Sequence, residues 1–205
     1  MPFPPSLWLA ADPLLLASTS PTRRMLVESA GLPVEVEAPG VDERRIEAAV
    51  QGSPRDLARR LAAEKALAVS RRRPARIVVG ADQVLALAGA IMHKPADGAA
   101  ARRQLARLSG RTHHLHSAFA IAQDGAVLRD GLDTARLTMR ALDDAAIGRY
   151  LDLAGEDVTR SVGGYRLESV GVHLFERIEG DHTTILGLPL LPLLAALRSL
   201  DLLVM

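Results

Sequence analysis

Short apolar runs alternate with helix-start signals along most of this chain. The first run, Leu14–Ala17, is followed by Ser20-Pro21, a pair typical of a helix N-cap with proline in the first turn. Ser53-Pro54 repeats the signal, and an apolar stripe then predicts a helix through about Ser70. Because strand and helix patterns keep alternating in this way, the sequence predicts an α/β fold.

Further elements fill the rest of the chain. We expect a helix from Pro21 to about Ala30, strands in "PVEVEAP", at Ile77–Val79, at Ala135–Met139 and in "VHLFERIEG", hairpins centred on Ala88-Gly89 and on the Asp-Gly of "HLHSAFAIAQDGAVL", and helices over Ala99–Ser109, Asp143–Leu151 and Pro189–Leu202. No repeat or linker divides the chain. We therefore expect one domain over residues 1–205, with its core at about 14–200.

Composition excludes several classes of function. Lys and Arg total 25 against 24 Asp and Glu, and aromatic residues make up 3% of the chain, which argues against a nucleic acid polymer as partner. The absence of cysteine removes thiolate nucleophiles and cysteine-based zinc sites. The N-terminus lacks a basic targeting region, and the uncharged part of the apolar C-terminal stretch is too short to span a bilayer. We expect a cytoplasmic protein without a membrane partner.

The segment "STSPTRR", residues 18–24, has the chemistry of a phosphate cradle. A helix N-terminus offers free N–H groups and a partial positive charge, so anions bind there. Ser18 and Ser20 add hydroxyl groups, and Arg23 and Arg24 add full charges. The alternative interpretation is a helix cap followed by two solvent-facing arginines. No G-x-x-x-x-G-K-[ST] motif occurs, so the chain is not a P-loop enzyme.

Acidic residues follow two of the predicted strands. Asp82 comes just past an apolar strand, after Gly80-Ala81, where a carboxylate can act as a general base, bind a metal or cap a turn. Asp42 and Glu43 follow a strand and a Pro-Gly pair, which suits either a Mg²⁺ or Mn²⁺ site or a solvated loop. The local sequence leaves these alternatives open.

Three more charged residues are candidate ligand contacts. Lys65 lies four residues after Leu61, so its ammonium stands beside the apolar stripe, where it either extends to solvent or reaches a phosphate. Lys94 precedes a proline that rigidifies its loop, and it raises the same two alternatives. Glu168 follows Gly163-Gly164, a pair that permits close backbone approach to a ligand, and its charge needs a partner.

The run "HHLH", residues 113–116, contains three of the six histidines. In a strand His114 and His116 share one face, whereas His113 points away. No complete metal-ligand motif accompanies them, so the pattern favours a polar strand face over a metal site.

Seven motifs, taken in order, resemble those of the Maf family of nucleotide pyrophosphatases. They are "LASTSPTRRMLVESAG", "APGVDER", "RLAAEKA", "VVGADQVLAL", "KPAD", "LARLSGRTHH" and "GGYRLESVGVHLFERIEGD…ILGLPL". The resemblance extends from about Leu14 to about Leu200. It implies a Maf/ITPase-like α/β fold with a central mixed sheet flanked by helices, and two lobes with a cleft between them.

The resemblance also implies an activity, a cofactor and partners. Members of the family hydrolyse a nucleoside triphosphate between the α and β phosphates, giving the monophosphate and pyrophosphate. The implied cofactor is a divalent cation, Mg²⁺ or Mn²⁺, and the implied assembly is often a homodimer. The family is associated with the clearing of modified nucleotides and with cell-division arrest, so a nucleotide-binding regulator of division without turnover is an alternative.

Site residues follow from the resemblance position by position. Asp82 matches the family's proposed proton acceptor. The polar cleft residues of the family are matched by Ser18, Ser20, Arg23, Glu43, Lys65 and Lys94. We expect Asp82 and Glu43 to hold the metal and to carry catalysis, and the serines, Arg23 and the two lysines to bind phosphate.

Three further positions match those linked to substrate choice. The branch acting on dTTP and UTP is typified by the motifs "SPRR", "GADT" and "GYxIQG". In this chain Thr22 replaces an arginine of the first motif, Gln83 the threonine of the second and Glu168 the glutamine of the third. These residues are closer to the branch acting on 7-methyl-GTP, although Thr22 is small where that branch tends to carry an aromatic residue, and Arg166-Leu167 replaces its serine-lysine pair. A carboxylate accepts hydrogen bonds from guanine N1–H and its amine and complements a cationic ring. The alternative substrates are dTTP and UTP, or a broad range of triphosphates.

Overall fold

A computed structural model describes residues 7–204 and confirms the α/β class. Its strands are β1 Leu14–Ala17, β2 Val34–Val36, β3 Val78–Leu87, β4 Ala90–Met92, β5 Thr112–Gln123, β6 Ala126–Met139 and β7 Phe175–Glu179. Within that range the seven strands form a mixed sheet in the order β2-β1-β3-β5-β6-β7, and β4 pairs with β3. Strand β1 is parallel to β2 and β3, whereas β3–β4 and β6–β7 are antiparallel.

Helices occupy most connections between the strands. They are α1 Pro21–Ser29, α2 Glu43–Ala49, α3 Pro54–Arg72, α4 Gly98–Leu108, α5 Asp144–Ala154, α6 His182–Ile185 and α7 Leu190–Arg198, with 3₁₀ segments at Gly155–Thr159, Val162–Gly164 and Val170–Leu174. The helices predicted near α1, α3, α4 and α5 are confirmed. The closing helix α7 is shorter than predicted, because the chain makes a tight turn from Leu197 to Leu200 before the C-terminus.

Two helix starts predicted from Ser-Pro pairs are confirmed. The Ser20 side chain accepts a hydrogen bond from the Arg23 N–H, and Pro21 occupies the first turn of α1. Ser53 begins α3 with a reciprocal capping box, in which its side chain and that of Asp56 each accept a backbone hydrogen bond. Each cap satisfies an N–H group that the helix itself leaves free.

Helix α2 lies where the sequence analysis predicts no helix and leaves a solvated loop as one of two alternatives. Asp42 is its N-cap and accepts a hydrogen bond from the Arg45 N–H, so its carboxylate has a structural role. None of the α2 residues is buried. This segment therefore lacks the apolar periodicity that indicates a helix in a sequence.

The prediction that Asp82 follows the end of a strand is wrong, because Asp82 lies inside the ten-residue strand β3. Both faces of β3 are buried over nearly its whole length, so its sequence does not alternate between apolar and polar residues. The pair Asp82-Gln83 consequently resembles a break between two shorter elements. The carboxylate is tolerated within the strand because a lysine of α3 contacts it.

The Asp-Gly hairpin between β5 and β6 is confirmed. Asp124 and Gly125 both have positive φ, at 52° and 76°, as a two-residue hairpin turn of this type requires. In β5 the rings of His114 and His116 stack on one face, whereas His113 is fully buried and its Nε2 lies 2.6 Å from the Tyr165 hydroxyl. Burial lowers the pKa of His113 to about 4.

The chain divides into two compact units. The first comprises the chain up to Gln83, Ser117–Asp133 and the chain from Leu186 onward, and the second comprises Val84–His116 and Thr134–Ile185. Each has its own apolar core, which includes Leu14, Leu16 and Phe119 in the first and Leu85, Leu105 and Leu137 in the second. The sequence analysis predicts a single domain with a cleft between two lobes. The division into two units does not test that organisation, so the single domain and the cleft stay predictions.

No helix between residues 7 and 204 combines the length and the apolar character that a membrane crossing needs. The cytoplasmic location stays a prediction.

Candidate active site

The segment that links β1 to α1 forms a serine-lined turn. Ser18 is buried, and its Oγ accepts a hydrogen bond from the Ser20 N–H at 3.2 Å. The Ser20 Oγ in turn accepts from the Arg23 N–H at 3.3 Å. Pro21 has no N–H, so Thr22 provides the one first-turn N–H of α1 that no described residue accepts. Both hydroxyls keep their own hydrogen atoms, and each can donate one to an anion.

A buried lysine joins two acidic residues in the first unit. The Lys65 Nζ lies 2.5 Å from the Asp82 Oδ1 and 2.6 Å from the Glu43 Oε1. Lys65 and Asp82 are 6% and 7% exposed, whereas the Glu43 side chain is 57% exposed. The ammonium is thus directed inward rather than to solvent, contrary to the usual behaviour of a surface lysine.

The contact between Lys65 and Asp82 depends on a glycine. A Cβ placed on Gly80 would lie 2.3 Å from the Ala62 carbonyl oxygen and 2.4 Å from the Ala66 nitrogen. Helix α3 therefore packs directly on the backbone of β3. This close approach brings Lys65, next to Ala66, to the carboxylate two residues beyond Gly80.

Arg23 reaches into the same cluster from α1. Its Nε donates to the Gly187 carbonyl and its Nη1 to the Ala81 carbonyl, both at 2.9 Å. Burial lowers the pKa of Arg23, and the negative charges of Asp82 and Glu43 partly offset that effect. The guanidinium group therefore lies within electrostatic range of both carboxylates.

Gln83 stands beside this cluster. Its Nε2 lies 2.9 Å from the Oγ of Ser117, which is fully buried in β5. A Cβ on Gly187 would lie 3.8 Å from the Gln83 side-chain carbon Cδ and 3.5 Å from the Arg23 Nε. Gly187 is thus adjacent to a predicted phosphate-binding residue and to a predicted specificity residue.

Lys94 and Glu168 belong to the second unit. Lys94 is exposed in the loop between β4 and α4, and Gln104 fixes that loop by donating to the His93 carbonyl at 3.0 Å. Glu168 is exposed and pairs with Arg166 at 3.0 Å, so the partner that its charge needs is its own neighbour. The predicted roles of these two residues stay predictions.

The double glycine before Glu168 accommodates protein atoms. A Cβ on Gly163 would lie 2.5 Å from the ring of Tyr165, and the Gly164 carbonyl accepts a hydrogen bond from the Tyr150 hydroxyl at 3.1 Å. These contacts give Gly163-Gly164 a packing role within the second unit. The second unit also holds a cavity of about 480 Å³, and none of the predicted site residues lines it.

Two site residues have no predicted role in the sequence analysis. Gly187 lies within the quoted motif "ILGLPL", and a glycine followed shortly by proline was the available signal. Ser117 carries no local signal, because a serine within an apolar strand does not indicate which distant side chain it meets.

The donor set fits a divalent cation that arrives with a phosphorylated substrate. Asp82 and Glu43 supply hard carboxylate oxygens close to a common point, the Lys65 ammonium. In residues 7–204 no group of three or more acidic, histidine or cysteine side chains forms a dedicated metal site. Mg²⁺ is commonly held by one or two carboxylates, with substrate phosphates and water completing its shell, and this pair meets that requirement.

Comparison with known proteins identifies the family of the chain. A family model described as "Maf-like protein" matches residues 13–200. A "Nucleoside triphosphate pyrophosphatase" from Rhodopseudomonas palustris is 52% identical over 195 residues, covering 95% of this chain and 96% of the relative. One of the same name from Bradyrhizobium diazoefficiens is 53% identical, covering 94% and 96%. A "7-methyl-GTP pyrophosphatase" from Mesorhizobium japonicum is 51% identical, covering 92% and 96%. The chain therefore belongs to the Maf family.

Proposed function

We propose that this chain, a nucleoside triphosphate pyrophosphatase of the Maf family, hydrolyses 7-methyl-GTP to 7-methyl-GMP and pyrophosphate. The observation that carries the hydrolytic part is the buried Lys65–Asp82 pair, with Glu43 and the Arg23 guanidinium in the same cluster. The choice of 7-methyl-GTP draws on Glu168 and on the name of the Mesorhizobium relative.

In this proposal the cations of the site bind the phosphate chain. The Arg23 guanidinium donates to two carbonyl oxygens, and within residues 7–204 no carboxylate forms a contact ion pair with it. Lys65 starts with two carboxylates in contact and shifts part of its bonding to phosphate oxygens when substrate binds. Ser18 and Ser20 donate their hydroxyl hydrogens to phosphate oxygens. Lys94 is proposed to help neutralise the negative charge that builds on the leaving pyrophosphate. Fixed donors of this kind supply much of the rate acceleration in phosphoryl chemistry.

Asp82 is the proposed proton acceptor. It is buried and held by Lys65 through Oδ1, which fixes the orientation of the carboxylate. Its other oxygen orients a water molecule toward the α phosphorus and accepts the proton as the new P–O bond forms. The bond between the α phosphorus and the bridging oxygen then breaks, and pyrophosphate leaves. Glu43 is more exposed, which makes it the weaker candidate for the same step.

Asp82 and Glu43 are also the residues that would hold Mg²⁺ or Mn²⁺. When bound, the cation would neutralise phosphate charge and polarise the phosphate oxygens.

Three residues are proposed to read the base. The Glu168 carboxylate accepts from guanine N1–H and the exocyclic amine, and it complements the positive ring of 7-methylguanine. Its contact with Arg166 must then be shared or exchanged for the base. Thr22, within the phosphate-binding segment, and Gln83, beside the Lys65 cluster, complete the predicted specificity set.

A broader substrate range, including UTP and dTTP, is the second candidate. It is supported by the two relatives named as nucleoside triphosphate pyrophosphatases without a particular base. Binding without turnover, as in a regulator of division, is the third, and a homodimer is compatible with each of the three.

The test combines a nucleotide panel with one substitution. Wild-type protein is assayed for pyrophosphate release from 7-methyl-GTP, GTP, UTP and dTTP, and we expect 7-methyl-GTP to have the highest kcat/KM. Asp82→Asn should lower kcat by about 10²–10⁴-fold, the usual contribution of a general base. Asp130→Asn, at an exposed acid that pairs with Arg59, is the matched control and should retain full activity. Wild-type turnover by folded Asp82→Asn would refute the role of Asp82.

A further inference from the structure

The Arg23 side chain is fixed on two sides by the main chain. Nε and Nη1 donate to the carbonyls of Gly187 and Ala81, which lie far away in sequence. No described residue accepts a hydrogen bond from Nη2. A planar guanidinium held at two of its edges has a defined orientation, so its remaining edge points in a defined direction.

The Gly187 carbonyl is itself held in place. Gly187 is buried and has a φ of 98°, a backbone conformation that residues with a Cβ rarely adopt. The fully buried Leu188 and the buried Pro189 follow it and anchor the segment in the core of the first unit. The direction of the carbonyl therefore depends on a conformation that glycine accepts readily.

A methyl group at position 187 would find room. The Cβ would lie 3.5 Å from Arg23 Nε, 3.6 Å from Nη2 and 3.8 Å from Gln83 Cδ, all ordinary contact distances. A substitution would therefore act through the backbone angle at Gly187, which aims the carbonyl, and not through a steric clash. This distinguishes Gly187 from Gly80, where a Cβ would overlap with backbone atoms.

We propose that Gly187 is a positioning residue whose carbonyl orients Arg23 so that the Nη2 edge binds a phosphate oxygen of the substrate. The inference rests on the proposed function only for the identity of that substrate. The geometry itself requires only an oxyanion, because the Nη2 edge still offers N–H donors, and phosphate is one of the oxyanions that such donors bind.

The experiment compares four variants: Gly187→Ala, Arg23→Lys, the double variant and Gly31→Ala. Gly31 is the matched control, since it also has a positive φ, 75°, and its Cβ would also make an ordinary contact, at 3.6 Å. We expect Gly187→Ala and Arg23→Lys each to raise KM and lower kcat/KM about tenfold, the order of a lost charge-assisted hydrogen bond. The double variant should be no worse than Arg23→Lys, because both changes remove the same interaction. Gly31→Ala should lose stability but not activity.

A fifth variant separates backbone angle from side-chain size. Asn tolerates positive φ better than Ala but is larger, so Gly187→Asn should retain more activity than Gly187→Ala if orientation is what matters. Gly187→Asn also provides the test of the proposal if Gly187→Ala does not fold. Three results would each overturn the proposal. They are a lower kcat/KM for Gly187→Asn than for Gly187→Ala, additive losses of kcat/KM in the double variant, and a wild-type kcat/KM for Gly187→Ala.

Binding of inorganic tripolyphosphate, measured by calorimetry, provides a readout without turnover. If the wild-type protein hydrolyses no nucleotide but binds tripolyphosphate, and Gly187→Ala binds it about tenfold more weakly, the proposed function fails while the role of Gly187 stands. If tripolyphosphate does not bind, or binds equally to both proteins, the role of Gly187 is rejected whatever the activity.

Discussion

Gly80→Ala tests whether the approach of α3 to β3 assembles the site. The new Cβ would lie 2.3 Å from the Ala62 carbonyl oxygen, 2.4 Å from the Ala66 nitrogen and 2.9 Å from the Ala66 Cβ. Two of these three atoms belong to the helix backbone, so no flexible side chain can relieve the overlap. For ordinary contact, which begins near 3.4 Å, α3 must retreat from β3 by about 1 Å.

That retreat has a cost in stability and a cost in activity. Overpacking of a dense core usually destabilises by about 1–3 kcal/mol, and we expect the upper half of that range because the obstruction is backbone. The displacement also separates Lys65 from Asp82, whose contact is only 2.5 Å long. A misplacement of about 1 Å in a catalytic group can reduce the rate about 10²-fold, so kcat should fall by that order.

The measurement pairs urea unfolding with steady-state pyrophosphate release. Gly98→Ala is the control, because a Cβ there meets no atom within 4 Å. Gly80→Ala should have a lower unfolding midpoint, with an unchanged m-value, and reduced kcat, whereas Gly98→Ala should resemble the wild type. Wild-type stability and turnover in Gly80→Ala would show that the helix is not seated as described, and the link between Gly80 and the site would be wrong.

Three other perturbations give distinct results. Lys65→Met leaves the Asp82 carboxylate buried without its contact partner and should lower the free energy of unfolding in urea by about 3–5 kcal/mol. Adding Asp82→Asn should largely restore that stability, and failure to restore it would argue against the ion pair. Glu168→Gln should lower kcat/KM for 7-methyl-GTP about tenfold more than for UTP, and equal losses would exclude base reading by this residue. Because burial lowers the pKa of His113 from 6.5 to about 4, the unfolded chain binds the proton first, and stability is lost as the pH falls between those values. The loss should be about 3 kcal/mol, and the paired change His113→Phe with Tyr165→Phe should remove it from the pH profile of unfolding; an unchanged profile would mean that His113 is not buried in its neutral form.

The sequence predicts those parts of the fold that depend on neighbouring residues. Ser20 and Ser53 cap helices through bonds to backbone groups three residues away, and the turn at Asp124-Gly125 needs only its own two φ angles. Helix α2 escapes prediction because it buries no side chain, so its sequence carries no apolar stripe.

The site is less predictable than the fold because its contacts join distant segments. The spacing of Lys65 from Leu61 places its ammonium beside an apolar stripe, but no local pattern reveals that Asp82 meets it there. The continuity of β3 through Asp82 depends on that same contact, so the strand boundary and the ion pair could only be predicted together. Arg23 has partners that no side-chain motif can indicate, because both are backbone carbonyls.

Charge balance in the first unit explains why the two cations of the cluster are held so differently. Lys65 touches two carboxylates, so its charge is compensated in the free protein and the pair can stay buried at tolerable desolvation cost. Among the described residues Arg23 donates its hydrogen bonds to carbonyl oxygens, and its charge is balanced at longer range by Asp82 and Glu43. Under the proposed function, a polyphosphate would therefore meet one cation that is ready to bind and another that must first exchange a carboxylate for a phosphate. In the proposed mechanism that exchange would loosen the contact of Lys65 with Asp82 at the step in which Asp82 accepts a proton, so substrate binding would itself prepare the proposed base.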